Sequence, residues 1–174
     1  MQKILLAFAK QNAEANETVL AILSRLDHSA LVKDRGSYYG SLLNMARHIL
    51  GGEQFFLGLF AKALETNKAA LPLLSFLAGA KKADELELDA LIAAQKKADR
   101  ALVALLETLS ANDLLAPVAI DWYGKERPSV PLYFMLQQLI AHGIHHRGQI
   151  SQVLDSLKID NNYSALSIDS LTAV

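Results

Sequence analysis

The chain has no cysteine in 174 residues. That excludes disulfides, a catalytic thiol and thiolate metal ligands, and it fits a reducing compartment. Net charge is nearly absent: 17 Lys plus Arg stand against 18 Asp plus Glu, a formal −1 with neutral histidine. With no cationic excess to neutralise phosphates, a nucleic-acid partner is not expected. No stretch approaches the ~20 apolar residues of a membrane helix. The apolar run from Ile4 to Ala9 stops at Lys10, too short for the core of a signal peptide. The expectation is a cytoplasmic protein without a membrane partner. Proline and glycine are also few, at 4 and 9, so long helices meet little interruption.

What is present is apolar and helical. Hydrophobic residues make up 52% of the chain, with Leu and Ala prominent. The length favours a single domain, residues 1–174, able to bury a continuous core. Helical periodicity divides it into four segments. The first covers residues 2–27, where Asn12 and Asn16 on the apolar line bring a polar patch toward the core. His28 is expected at its C-terminal end. A polar connection over 29–38 follows, with Ser37 as candidate cap. The second helix covers 39–67, with a seam through Met45, His48, Gly52, Phe55 and Leu59. After a long link with a short helical turn over 68–83, the third covers 84–109. Its first turns are acidic, and no carboxylate faces inward beyond them. Residues 110–128 form another long link, with a small hairpin or lid expected around Trp122 and Tyr123. The fourth covers 130–157, capped by Ser129 and with Pro131 in its first turn. The expected fold is all-α, a four-helix bundle with long crossover connections.

Three of the five histidines fall in one stretch, Ala141-His142-Gly143-Ile144-His145-His146-Arg147-Gly148-Gln149. His142 and His146, four apart, stack on one helical face. His145 is turned about 100° from His146 and flanks that face. His48 lies on the seam of another helix. Three neutral imidazoles on one divalent ion leave a fourth position open, which marks a catalytic or ligand-binding metal site rather than a purely structural one. Imidazole suits Zn, Ni, Fe or Cu. The alternative is that the rings are hydrogen-bonded core residues of an inert bundle. Gly51 and Gly52, one turn after His48, either leave space beside the imidazole, admit another backbone, or mark a kink. The sequence His-Gly-Ile-His-His lacks the Glu of H-E-x-x-H, which disfavours peptide hydrolysis by that mechanism.

The segments Leu43-Asn44-Met45-Ala46-Arg47-His48-Ile49-Leu50-Gly51-Gly52-Glu53 and His142-Gly143-Ile144-His145-His146-Arg147-Gly148-Gln149-Ile150 resemble the DinB-like (DinB/YfiT-like) family of metal-binding four-helix bundles. The Ser37-to-Leu42 lead-in and the aromatic segment near Trp122 extend the likeness. The resemblance implies a bundle with crossovers, commonly a homodimer. It implies metal ligands His48, His142 and His146, with Zn, Ni or Fe as the occupant. Some relatives are thiol-dependent transferases using a low-molecular-weight thiol. The function expected is therefore a metal-dependent enzyme of thiol-transferase or hydrolase type acting on a small-molecule substrate. The alternative is a stress-response metal- or ligand-binding protein without catalysis. Around the site, Arg147 is expected to play a structural role, as a surface ion pair or by orienting a carboxylate such as Glu53. Glu53 itself is about 140° round the helix from His48, a poor direct ligand. Gln149 is a candidate to fix a histidine tautomer. Tyr38, Tyr39, Trp122 and Tyr123 are candidate pocket walls.

Overall fold

A computed structural model of the chain describes residues 1–120 and 129–162. In chain order its helices are α1 (Gln2–Leu23), α2 (His28–Val32), α3 (Leu42–Ala63), α4 (Leu71–Leu74), α5 (Leu88–Thr108) and α6 (Leu132–Ser156). Two-residue strands β1 (Pro117–Val118) and β2 (Val130–Pro131) pair antiparallel. The fold is all-α, carried by the four long helices. α1 packs on α5 and α6, and α3 packs on the same two. α1 and α3 therefore stand at opposite corners of the bundle, as do α5 and α6, so the first and last links between long helices pass across its ends while the link from α3 to α5 joins neighbours.

Local chemistry sets the boundaries. α1 stops at Leu23, four residues before the expected end, and Asp27 occupies the N-cap position of α2, so His28 opens a helix instead of closing one. The cap of α3 is Ser41, not Ser37: its hydroxyl accepts from the Asn44 backbone N–H at 3.2 Å. That is the serine cap geometry expected at a helix start, displaced by one turn of chain. Pro131 holds the N-cap position of α6 and belongs to β2, rather than lying inside the first helical turn. Asp84 and Glu85 sit in a 3-10 turn ahead of α5, while Glu87 is at its N-cap and Asp89 in its first turn. The expected lid around Trp122 and Tyr123 lies outside the described residues.

The core is a continuous cluster of Leu, Ile, Val, Met and Phe from all four long helices, with Leu50, Leu57, Phe60, Leu91, Leu105, Leu132, Leu136 and Ile150 fully buried. On α3 the buried stripe is Met45, Ile49, Phe56 and Phe60 with Glu53, turned by about one residue (~100° on an ideal helix) from the expected seam. Phe55, placed on that seam, is 49% exposed. The rotation matters functionally: it leaves His48 and Gly52 half-buried at the rim of the core. On α6, His146 is buried and His142 half-buried, so the histidines sit where the apolar interior meets solvent.

Candidate metal centre

His48 comes from α3, and His142 and His146 from α6, the helix packed beside it. One ring nitrogen from each can be chosen so that all three lie within 4.8 Å of one another. The Nε2 atoms of His48 and His142 are 3.0 Å apart. The ring centroids of His48, His142 and His146 are separated by 4.4 to 4.9 Å. Ligand bonds of about 2.0–2.1 Å in tetrahedral geometry need nitrogens about 3.4 Å apart, so small side-chain rotations suffice to hold one ion.

Three features prepare these rings as donors. Gln149, one helical turn after His146, accepts from His146 Nδ1–H through Oε1 at 2.8 Å. Its amide then faces His145 Nε2 at 3.3 Å. The first bond fixes the His146 tautomer and leaves Nε2 with its lone pair. Second, Gly52 makes room for the His142 ring. A Cβ there would clash with His142 Cε1 and lie 2.8 Å from its Nδ1, so the missing side chain is the space the imidazole occupies. Gly51 faces only an ordinary contact with Ala83. Third, burial favours the neutral form of each ring. His142 is lowered to about 4 by desolvation and then by repulsion from His146, His48 and His145. His48 is lowered by desolvation and then by His146. His146 is lowered by desolvation, against the bond to Gln149. Neutral imidazoles are what metal coordination requires. Two such nitrogens 3.0 Å apart cannot both present lone pairs unless a proton or a cation lies between them.

Behind the histidines lies a polar network whose members sequence reasoning only partly found. Arg147, read as a surface residue or a carboxylate clamp, is 4% exposed and donates to Asn12 Oδ1 at 2.7 Å and Asn16 Oδ1 at 2.6 Å. The polar patch read from Asn12 and Asn16 is therefore real, and it receives the guanidinium. Asn16 donates on to Asp99 Oδ1 at 2.8 Å, and Gln95 bridges Asp99 at 3.3 Å to Glu53 Oε2 at 2.5 Å. Asp99 corrects the expectation that no carboxylate on this helix faces inward: it is buried, one turn after Gln95. Its position four after a buried glutamine was the signal available. Gly143 admits the network, since a Cβ there would fall 2.8 Å from Asn12 Oδ1. Burial raises Asp99 to about 7 and Glu53 well above the ordinary carboxylate range, with the neighbouring Asp99 charge adding to the Glu53 shift. Glu53 Oε1 is buried with no hydrogen-bond partner among the described residues.

Beside His48 a groove of about 610 Å³ runs over α3, walled by Tyr39, Arg47, Gln54 and Lys82. Arg47 is held by Leu86 O, Asn44 and Glu87. Tyr38 also lines this groove, at its rim, and is 94% exposed. His145 is exposed, beside the centre rather than in it. The model of the DinB family matches residues 1–157. The chain belongs to the DinB family. The match covers all four long helices and all three clustered histidines. A comparison with curated proteins finds none that matches. The donor set fits a divalent cation on its own chemistry: three neutral imidazoles, one tautomer fixed from behind, and a glycine-made cradle for one ring.

Proposed function

We propose that residues 1–174 form one domain that binds a divalent metal ion, Zn, Ni or Fe, through His48, His142 and His146, and that it is a metal-dependent enzyme of thiol-transferase or hydrolase type. The observation that carries this is the convergence of three ring nitrogens within 4.8 Å from two helices. A bound ion would supply Lewis acidity toward a thiol or a water molecule. The chain's own residues do the rest. Gln149 orients His146, Gly52 seats His142, and the groove beside His48 admits a small polar substrate between Arg47 and Lys82. With no cysteine in the chain, the thiol of a thiol-dependent reaction would come from an external low-molecular-weight co-substrate.

His146→Ala tests the ligand set. Metal content by mass spectrometry should fall from one ion per chain in the wild type to near zero. Stoichiometric metal in the variant would contradict the assignment. A metal- or ligand-binding stress protein without catalysis is distinguished by thiol-dependent turnover, which it would lack. A homodimer fits the apolar groove of about 380 Å³ between α1 and α6, where Ile4, Phe8 and Ile144 are 62%, 45% and 57% exposed.

A further inference from the structure

Three imidazoles leave one tetrahedral position of a divalent ion unfilled. One oxygen atom close to the cluster comes from the loop ahead of α3. The Tyr39 hydroxyl lies 2.8 Å from His48 Nε2, closer than His142 Nε2 lies to the same atom at 3.0 Å. The Tyr39 ring stacks on His48 at 4.1 Å and meets the His146 ring edge-on at 5.3 Å. The phenol thus contacts two of the three histidine rings and brings its oxygen to the His48 nitrogen that also faces His142.

The loop is built to hold it there. Gly36 and Gly40 adopt φ of +68° and +73°, the left-handed conformation that favours glycine. Gly40 turns the chain directly after Tyr39 into Ser41, the cap of α3. The loop closes on itself: Arg35 N donates to Gly40 O at 2.8 Å, Gly40 N to Ser37 O at 2.9 Å, and Gly36 N to Asp34 Oδ1 at 2.9 Å. Arg35 also reaches back to Ala30 O at 3.0 Å. A freely swinging aromatic would not need this much backbone definition on both sides.

We propose that the Tyr39 hydroxyl oxygen is the fourth donor group of the metal centre. The inference rests on the histidines holding a metal. It adds that the position facing the groove is closed by a protein side chain until a substrate group takes it. Tyr39 also walls the groove, so a ligand filling the groove meets the phenol and the centre together.

The test strips the protein with a chelator and titrates it with Co(II), following the visible absorption of the bound ion. Tyr39→Phe should weaken Co(II) binding by about 10–100-fold, the scale of losing a supporting or donor group at a metal site, and should change the Co(II) spectrum. Tyr38→Phe, at an exposed position, should change neither. Binding by Tyr39→Phe as tight as wild type or tighter, with an unchanged spectrum, would overturn the proposal: the phenol would then only hydrogen-bond His48 and compete with the metal. A wild-type measurement guards against misfolding of the variant. Zn(II) addition should perturb the ultraviolet absorption of a tyrosine, and no perturbation at saturating Zn(II) counts against the proposal. Wild-type protein that takes up neither metal overturns the metal reading itself, and this inference with it. Uptake without a tyrosine contribution overturns this inference alone.

Discussion

At the scale of single residues, the site depends as much on a missing side chain as on the three that are present. Gly52 costs α3 about 0.5–1 kcal/mol relative to alanine in a helix interior. The His142 ring occupies the space thereby left. Gly52→Ala should therefore separate stability from function. The clash falls on side-chain atoms and not on backbone, so the metal-free variant should melt at or above the wild-type temperature. Its metal affinity should drop at least tenfold, measured by competition with a chromophoric chelator. Equal affinity would show that His142 does not need this position. Acid sensitivity belongs to the same scale. Protons compete with metal for the imidazoles, and their lowered pKa values, about 4 for His142, move that competition to more acidic pH. Metal should remain bound at about pH 5.5, where an ordinary imidazole is mostly protonated. Release near pH 6.5 would mean the rings are not held neutral by burial. The clustering of His48, His142 and His146 and the contact of Gln149 with His146 were legible in the sequence because helical spacing and imidazole chemistry are local. The burial of Arg147 was not, because a cation is buried only where distant partners meet it, here Asn12 and Asn16 more than 130 positions away.

At the scale of elements, the network joins all four long helices: Asn12 and Asn16 from α1, Glu53 from α3, Gln95 and Asp99 from α5, and Arg147 from α6. Removing one partner from such a buried set is costly, about 3–5 kcal/mol, because it strands the others. Arg147→Met should destabilise strongly in urea denaturation, whereas a surface ion pair would cost about 0–1 kcal/mol. The network also opposes the histidines in its response to pH. Asp99 is raised to about 7 when folded, so its contribution is present below the unfolded carboxylate value near 4 and is lost as pH rises through 7. His142 is lowered to about 4, so its contribution is present above about 6.5 and is lost as pH falls toward 4. Between those values the two act in opposite directions. Asp99→Asn removes the first, and the metal-free variant should gain stability with rising pH over this window more steeply than wild type. A parallel pair of pH profiles from urea melts would contradict the assignment of Asp99. The four helices themselves were legible from periodicity. Their exact buried lines were not: the stripe of α3 is rotated enough to expose Phe55 and bring His48 to the rim, a choice made by its neighbours α5 and α6.

At the scale of the whole molecule, link length was a poor guide to which helices are neighbours: the short link over 29–38 passes between opposite corners, α1 to α3, whereas the long link over 68–83 joins α3 to its neighbour α5, and α5 and α6 lie between α1 and α3. That topology puts the two histidine-bearing helices side by side although 94 positions separate His48 from His142. It also leaves Ile4, Phe8 and Ile144 on the outer α1–α6 face. If that face joins two copies, Ile144→Glu should convert a dimer to a monomer in light scattering coupled to size exclusion, with metal content unchanged. A variant that stays dimeric would move the interface elsewhere. The metal reading has three side chains from two helices holding one ion. Anomalous diffraction from crystals grown with Zn or Ni tests it at the atoms concerned. A single strong anomalous peak is expected within bonding distance of one nitrogen each of His48, His142 and His146. Crystals grown with excess metal that show the three imidazoles apart, with no peak between them, would contradict it.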